Sequence, residues 1–240
     1  MTIKIISWNC NMAFRKKYEK VMDLNPDLLV IQEAENDTKL KKHLGSINYN
    51  QIIWYGKNPN KGVAILSFNK LEIEINSNHN PAFEYIIPIK LKADKREINL
   101  FGIWAMPHKT ERKKSYVGQI WGAINYYKKD LDKDSILIGD FNSNTFWDKK
   151  SRVGNHTDVV NFLNKKNIQS LYHEKLGLPH GQEKHPTIYL LKKLEKPYHL
   201  DYCFASKNLW TQKTTCEIGK YEDWIKLSDH MPIIIENLKI

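Results

Sequence analysis

Five short polar motifs each lie next to an apolar run of the sequence. In chain order they are Trp8-Asn9, Gln32-Glu33, Gly139-Asp140-Phe141-Asn142, His199-Leu200-Asp201-Tyr202 and Ser228-Asp229-His230. Carboxylates and amides at the ends of buried segments are costly unless they face a charged group. If these oxygen donors converge, they are suited to a divalent cation and an anionic substrate.

The apolar runs that border the motifs are expected to be buried strands. They are Ile3–Ser7, Leu28–Ile31, Ser135–Ile138, Asp201–Ala205 and Met231–Ile235. Because the motifs come from both halves of the chain, the halves must meet to form one site. We therefore expect a single domain over residues 1–240.

Strands and helices alternate through both halves. Helical spacing predicts helices at Arg15–Leu24, Asn36–Leu44, Lys113–Lys129 and Thr157–Lys166. Further strands are predicted at Gln51–Tyr55, Gly62–Phe68, Leu71–Ile75, Glu84–Leu91, Ile98–Trp104, Ile168–Leu171, Thr187–Leu191 and Lys213–Ile218, with turns at Lys57–Gly62 and Lys92–Lys95. This mixture favours two sheets packed face to face with helices outside, although periodicity alone gives only an α/β or α+β class.

The charge balance has two interpretations. The formal net charge is +10, from 37 Lys and Arg against 27 Asp and Glu, which indicates a polyanionic partner, nucleic acid first. However, only four of these cations are arginines, the residue that binds phosphate in a bidentate manner. Abundant Lys, Asn and Ile are also what an AT-rich genome imposes on any protein.

The cysteines and the N-terminus bear on the cellular compartment. Cys10, Cys203 and Cys216 have no metal-ligand spacing, and Cys10 and Cys203 are expected to be small buried hydrophobic residues. A disulfide framework is not expected. The N-terminus resembles an amphipathic strand rather than a signal peptide, and no apolar run is long enough to span a membrane. A cytoplasmic location is therefore expected.

Taken together, the five motifs resemble those of the endonuclease/exonuclease/phosphatase superfamily over the span from Trp8 to His230. This superfamily includes exonuclease III-type abasic endonucleases, pancreatic-type DNases, inositol polyphosphate 5-phosphatases, sphingomyelinases and deadenylases. The resemblance implies a four-layered α/β sandwich, in which two mixed β-sheets pack face to face with helices outside. It also implies a metal-dependent phosphoesterase.

The resemblance assigns a metal site to three residues. Glu33 is the expected principal ligand of Mg²⁺ or Mn²⁺, and Asn9 and Asp229 complete or support the site. Asn11 stands where some nuclease relatives carry Asp, so we expect one dominant metal. The alternative for Asn9 is an amide that caps a turn at the end of a strand.

The GDFN motif is expected to act on the attacking water. Asp140 and Asn142 alternate along a strand end, so both side chains face one side while Phe141 faces the core. Asp140 can orient and deprotonate water, and Asn142 can hold the water or a phosphoryl oxygen. Gly139 suits a close backbone approach. The alternative interpretation is a strand-terminating Asx turn.

The last two motifs are expected to supply a charged histidine. By resemblance, Asp201 orients His230, which contacts the scissile phosphate. A neighbouring carboxylate should raise the pKa of His230 and favour the imidazolium. This cation would stabilise negative charge on the phosphoryl oxygens.

One position departs from the family pattern. After a strand such as Ile98–Trp104, nuclease relatives offer a His or Tyr shortly before a Pro, where this chain has Trp104 and Ala105. Neither residue serves as a phosphate ligand. His108, after Pro107, is the expected substitute, and the alternative is an ordinary loop histidine.

The second half of the chain also contains three histidines and two aromatic residues with predicted positions or roles. His173, His180 and His185 lack metal-ligand spacing and are expected in a loop. Trp147 and Tyr189 are candidates for base stacking, although packing in the core is the commoner role of such residues.

These features predict a divalent-metal-dependent phosphodiesterase. The first hypothesis is a DNA endonuclease or exonuclease of the abasic-site or nicking type, with DNA favoured over RNA. The alternative is a metal-dependent phosphatase of a small-molecule or lipid-headgroup ester, because the motifs specify a phosphate ester and not its alcohol. A non-catalytic nucleic-acid binder is a third hypothesis, and metal-dependent turnover distinguishes it from both enzymes.

Overall fold

Two six-stranded β-sheets lie at the centre of the computed structural model, which describes the whole chain except residues 44, 46, 94 and 95. The strands are β1 (Thr2–Asn9), β2 (Leu28–Ala34), β3 (Gln51–Asn58), β4 (Lys61–Ser67), β5 (Glu72–Ile75), β6 (Ile86–Ala93), β7 (Arg96–Trp104), β8 (Ser135–Asp140), β9 (Ile168–Ser170), β10 (Ile188–Tyr189), β11 (Pro197–Tyr198), β12 (Asp201–Ser206), β13 (Thr215–Ile218) and β14 (Ile233–Lys239). The helices are α1 (Tyr18–Met22), α2 (Asp37–His43), α3 (Val117–Tyr126), α4 (His156–Asn164), α5 (Leu171–Leu176) and α6 (Tyr221–Trp224).

Both sheets are mixed. The first has the strand order β13-β14-β1-β2-β4-β3, and the second has the order β5-β6-β7-β8-β12-β9. Each contains a parallel pair near its centre, β1 with β2 and β7 with β8. Strands β10 and β11 form a separate two-stranded hairpin.

Alternation along the strands fills the space between the sheets. Ile3 and Ile5 of β1 and Ile136 and Ile138 of β8 belong to one buried cluster shared by both sheets. The opposite faces pack against helices: Ile6 and Trp8 lie in a cluster near α1 and α6, and Leu137 lies in a cluster with α3 and α4. This helix–sheet–sheet–helix arrangement confirms the predicted four-layered α/β sandwich.

Most predicted strands are present, but several bounds differ for local reasons. The predicted strand Thr187–Leu191 is reduced to Ile188–Tyr189, because Leu191 and Lys192 have positive φ angles of 59° and 58°. The helix predicted at Lys113–Lys129 begins at Val117, because Tyr116 has a φ of 51° and donates its N–H to the carbonyl of Met106.

Other differences lie in short elements. The first predicted helix begins with a 3₁₀ turn at Phe14–Lys16 before α1. Helices α5 and α6 were not predicted. Within the predicted turn at Lys92–Lys95, residues Asp94 and Lys95 lie outside the described residues, as does Leu44 at the end of a predicted helix.

The buried cysteines follow the sequence-based expectation. Within the described residues, Cys10, Cys203 and Cys216 are free thiols, and all three are buried. Burial raises the pKa of Cys10 and of Cys216 above the ordinary thiol value. Among residues 1–43, 45, 47–93 and 96–240, no helix has the length and apolar character needed to cross a bilayer.

Candidate active site

The strand topology brings all five motifs to one edge of the sandwich. Strands β1 and β2 run in parallel, so Asn9 and Gln32 are paired where these strands end. Strand β12 runs antiparallel to β8, which pairs Asp201 at its start with Asp140 at the end of β8. Strand β14 runs antiparallel to β1, so the segment before it, with Asp229 and His230, lies beside the end of β1.

Asn9 and Asp140 meet across the gap between the two sheets. The odd-numbered positions of β1 and the even-numbered positions of β8 face this gap, as Ile5 and Ile138 illustrate. At the edge of the gap, the Asn9 amide donates a hydrogen bond to Asp140 Oδ2 at 3.1 Å. The same amide lies 3.4 Å from Glu33 Oε1. Asn9 therefore links Glu33, which is expected to bind metal, to Asp140, which is expected to act on water.

Asp140 is held by hydrogen bonds in an almost fully buried position. Its Oδ1 accepts the backbone N–H of Asn142 at 2.9 Å, and its Oδ2 accepts the Asn142 side-chain amide at 3.0 Å. Burial and the nearby Asp201 carboxylate raise the pKa of Asp140 above its ordinary value. A carboxylate with a raised pKa is a better proton acceptor, as a general base requires.

Asn142 and Phe141 have the orientations that strand alternation predicts. The side-chain amide of Asn142 lies against Asp140 and donates to the carbonyl of Ala105 at 3.0 Å, while Phe141 is buried in the cluster beneath α3 and α4. Asn142 has a φ of 46°, a conformation that Asn adopts more readily than most residues. The Asx turn that was the alternative interpretation of this motif is thus present, since Asp140 accepts the N–H of Asn142. The side chains of both residues also belong to the site.

Gly139 allows Asp140 to reach this position. Its φ is 141°, and an added Cβ would lie 2.0 Å from the carbonyl oxygen of Ile103 on the neighbouring strand. We expect Gly139→Ala to lower the free energy of unfolding by at least about 2 kcal/mol, because both the backbone angle and the space exclude a side chain. Denaturant unfolding measures this change.

Gly177→Ala is the matched control for that substitution. Gly177 also has a positive φ, 62°, but an added Cβ would meet no atom within 4 Å in the described structure. Its substitution should cost only about 1 kcal/mol, from the backbone angle alone. Equal losses in the two variants would contradict the close approach assigned to Gly139.

Glu33 lies at a β-bulge in a strained conformation. The register between β2 and β4 shifts between Gln32 and Ala34, and Glu33 has a φ of 60°. A left-handed conformation is uncommon in residues other than Gly, Asn, Asp and His, and such residues recur at functional sites. The bulge directs the half-exposed Glu33 carboxylate to the edge shared with Asn9.

Asp229 joins this edge through Asn11. The side-chain amide of Asn11 donates to Asp229 Oδ1 at 2.9 Å, and the backbone N–H of Asn11 donates to Asn9 Oδ1 at 3.1 Å. In the part of the chain that the structure describes, neither Glu33 nor Asp229 forms an ion pair with Lys or Arg. Glu33 and Asp229 thus supply carboxylate oxygens without a Lys or Arg partner, and such oxygen donors fit Mg²⁺ or Mn²⁺.

His230 and Asp201 form the expected pair. His230 Nδ1 lies 2.9 Å from Asp201 Oδ2, and His230 Nε2 lies 4.0 Å from Asp140 Oδ2. Burial opposes a charge on the imidazole, but the carboxylates of Asp201, Asp140 and Asp229 outweigh it and raise the pKa of His230. The imidazolium is thus favoured, and its Nε2 faces the same space as Asp140.

The backbone around this pair is also fixed by hydroxyl groups. Thr187 Oγ1 accepts the N–H groups of Leu200 and Asp201, at 2.9 and 3.0 Å. Ser228 Oγ donates to the carbonyl of Asn9 at 2.7 Å and accepts the N–H of His230 at 3.0 Å. Sequence reasoning did not identify Thr187, because it opens a predicted strand and carries no motif.

His108 does not join these residues in the structure. Its Nδ1 accepts the backbone N–H of Glu111 at 3.0 Å, and its own N–H donates to Ser115 Oγ at 2.9 Å. These contacts hold a turn on the loop before α3. Trp104 is buried against Tyr85 with ring centroids 4.8 Å apart, while Ala105 accepts the Asn142 amide. Among the described residues, His108 has no hydrogen bond to the other predicted site residues, so its phosphate-binding role stays a prediction.

The expectation that the histidines of the second half lie in a loop was wrong for His173. His173 is buried on helix α5 instead of lying in a loop. In addition, ligating atoms of His173, His180 and Glu183 all lie within 4.8 Å of one another, although the spacing of the three residues matches no metal-binding motif. The unpredicted α5 and the turn after it create this cluster.

An aromatic pocket is lined by residues that are close in sequence to two of the motifs. It has a volume of about 360 Å³, and its walls include Phe146, Trp147 and Tyr198. The pocket is also lined by His199, the first residue of the fourth motif, and by Asn144, two residues after Asn142. Trp147 is 45% exposed, so core packing, the commoner role for such a residue, is wrong for this side chain.

Comparisons with known proteins identify the family of this chain. A family model described as the endonuclease/exonuclease/phosphatase family matches residues 6–230. No curated protein matches the sequence.

Three solved structures illustrate the structural similarity. The 3'-5' exonuclease NExo from Neisseria meningitidis is 16% identical with a TM-score of 0.71, and the match covers 98% of this chain and 99% of that one. An AP endonuclease from Archaeoglobus fulgidus is 18% identical with a TM-score of 0.69, covering 97% and 98%. A D-to-N variant of NExo from Neisseria, described as a 3' phosphatase bound to a product DNA hairpin, is 16% identical with a TM-score of 0.70, covering 98% and 99%.

Proposed function

The chain belongs to the endonuclease/exonuclease/phosphatase family, and we propose that it is a Mg²⁺- or Mn²⁺-dependent DNA phosphodiesterase of the abasic-site or nicking type. One observation carries this proposal: Asn9 joins Asp140 to Glu33 across the two sheets, and His230 lies beside Asp140. The whole chain, residues 1–240, would act as a single catalytic domain.

Each residue has a role that follows from its position. Asp140 orients the attacking water and accepts its proton, and Asn142 holds the water or a phosphoryl oxygen. His230, oriented by Asp201, places an N–H at the phosphoryl oxygens, where it stabilises the negative charge of the transition state.

The excess of carboxylates explains why a cation is required. Glu33, Asp140, Asp201 and Asp229 meet at one edge with His230 as their charged partner, so a phosphate diester would be repelled. Glu33 and Asp229 would hold the metal ion, with Asn9 in support. The ion would supply positive charge to the phosphate and to the leaving oxygen.

DNA is proposed as the substrate because of charge and pocket shape. The chain carries a net charge of +10, and exposed lysines lie on the loops that flank the pocket, at Lys149, Lys150 and Lys184. A pocket of about 360 Å³ with aromatic walls fits one nucleoside unit, since bases and sugars stack on such surfaces. The AP endonuclease and the DNA-bound NExo share the fold.

A small phosphate ester is the second candidate, because the same pocket also fits a ligand of that size.

The test is a set of labelled substrates incubated with Mg²⁺: a duplex with one abasic site, intact duplex, single strand, RNA, and a panel of small phosphate monoesters and diesters. We expect the abasic duplex to be cleaved fastest and EDTA to abolish cleavage. Preference for a small ester, with no DNA cleavage, would replace the DNA proposal with the phosphatase alternative.

Trp147 should contribute to binding of the DNA substrate. Its ring lies 5.3 Å from that of Tyr198 on the pocket wall and is partly exposed. We expect Trp147→Ala to raise KM for abasic DNA about tenfold with little change in kcat, because stacking contributes about 1–3 kcal/mol per base. Val153→Ala, at a side chain 80% exposed, is the control. An unchanged KM in Trp147→Ala would exclude this pocket from DNA binding.

A further inference from the structure

A second cluster of ligating side chains lies apart from Glu33 and Asp229. Helix α5 carries His173, and the turn after it carries His180 and Glu183. His173 Nε2 lies 3.0 Å from Glu183 Oε1, and the rings of His173 and His180 are 3.5 Å apart between centroids. We propose that His173, His180 and Glu183 bind a transition-metal cation, Zn²⁺ in the first instance.

The donor atoms are suited to such a cation. Two imidazoles and one carboxylate form a recognised set of zinc ligands, with a further position left for water or another donor. Imidazole nitrogens favour Zn²⁺ and similar ions over Mg²⁺, which prefers oxygen ligands. This site would therefore select a different metal from the one at Glu33.

Unpaired nitrogens at the cluster are the second observation that favours a ligand. His180 Nδ1 is buried, and within the described structure it has no hydrogen-bond partner. The same holds for Nε2 of two neighbouring histidines, His156 and His199, which are 0% and 4% exposed. A buried unpaired polar atom is destabilising, so three of them around one cluster call for a partner.

The other ring nitrogens are oriented as they are in metal sites. His199 Nδ1 lies 2.7 Å from the carbonyl oxygen of His185, which only accepts, so Nδ1 carries the proton and Nε2 has the free electron pair. His173 Nδ1 lies 2.7 Å from Ser170 Oγ, and His156 Nδ1 lies 2.9 Å from Ser143 Oγ. Hydrogen bonds of this kind orient histidine ligands in metal sites. In the described structure His173 Nε2 faces the Glu183 carboxylate and carries a proton, which a bound metal ion would displace.

Binding requires one movement. The stacked rings of His173 and His180 have an interplanar angle of 17°, so the half-buried His180 must rotate for both nitrogens to face a shared ion.

A bound ion would fasten the turn around His180 and Glu183 to helix α5. Glu183 and its neighbour Lys184 line the aromatic pocket, so the ion would also stabilise one wall of that pocket. Its effect on the chemistry at Asp140 would be indirect, through the position of this wall. The proposal does not depend on DNA being the substrate.

The test measures metal binding rather than activity. Metal-free protein is titrated with Co²⁺, and then with Zn²⁺ as a competitor, in excess Mg²⁺ that occupies the oxygen-rich site. We expect one Co²⁺ per chain, with the intense visible absorption of a four-coordinate site containing nitrogen ligands, and displacement by Zn²⁺. Zn²⁺ should also raise Tm, because it binds only the folded state.

Three variants locate the ion. His180→Gln should weaken Zn²⁺ binding by more than about 100-fold, beyond the usual effect of changing a residue that only orients a ligand. His43→Gln, at an exposed histidine on α2, and Glu33→Gln should bind Zn²⁺ as the unaltered protein does.

Two results would overturn the proposal. One is the absence of the four-coordinate Co²⁺ spectrum in the unaltered protein, and the other is unchanged Zn²⁺ binding in His180→Gln. Circular dichroism verifies that His180→Gln folds, and Glu183→Gln provides a second variant if it does not. The absence of the four-coordinate Co²⁺ spectrum in the unaltered protein would overturn the proposal without any variant.

Discussion

Asp140→Asn is expected to lower kcat for phosphodiester hydrolysis by about 10³-fold, within the usual contribution of a general base. The amide keeps the size of the side chain and its place beside Asn9 and Asn142, but it cannot accept a proton from water. KM should change little, because the substrate contacts remain. Steady-state kinetics on the best substrate measures both constants.

The stability of this variant separates a chemical role from a structural one. Burial and Asp201 disfavour the charged form of Asp140, and this offsets the hydrogen bonds that an amide NH₂ group cannot accept, so the free energy of unfolding should change little. Asp23→Asn makes the same change at an exposed carboxylate and should keep full activity. A loss of less than tenfold in folded Asp140→Asn would contradict the role of Asp140 as general base.

Glu33→Gln is expected to have the second large effect, on the dependence of activity on metal. The concentration of Mg²⁺ that gives half-maximal activity should rise by more than about tenfold, because a neutral amide oxygen replaces the principal anionic ligand. The maximal rate should fall as well. Activity measured over a range of Mg²⁺ concentrations gives both values.

Glu19→Gln controls for the loss of one negative charge. Glu19 is exposed on α1, outside the five motifs, so this variant should respond to Mg²⁺ as the unaltered protein does. If Glu33→Gln and Glu19→Gln have the same Mg²⁺ dependence, Glu33 is not the principal ligand. The bulge at Glu33 would then require another explanation.

The sequence was sufficient to predict the strands that carry the motifs. The runs ending at Asn9, Glu33 and Asp140 are apolar and short, and such segments have few alternatives to buried strands. Alternation then predicted that Asp140 and Asn142 share one side and that Phe141 is buried, as the structure has them. The pairing of Asp201 with His230 was predicted from the family resemblance. Polar residues at the ends of strands do not by themselves indicate which of them pair.

Other parts of the site depend on contacts that sequence patterns do not record. Glu33 reaches its position through a β-bulge in which its backbone is left-handed. Apart from glycine, no residue type is typical of a bulge, so the sequence does not reveal this one. Thr187 is near Asp201 only because β10 and β11 form a hairpin. The histidine cluster requires α5, a helix of six residues too short for a clear hydrophobic period.

The most direct test of the central claim is cleavage of the best substrate in ¹⁸O-labelled water with Mg²⁺, followed by mass analysis of the phosphate product. Attack of water on phosphorus predicts one ¹⁸O in the phosphate group, formed only when Mg²⁺ is present and not by Asp140→Asn. Cleavage that leaves the phosphate unlabelled would instead show elimination at the sugar. That result, or equal labelling with EDTA present, would contradict metal-dependent hydrolysis at this site.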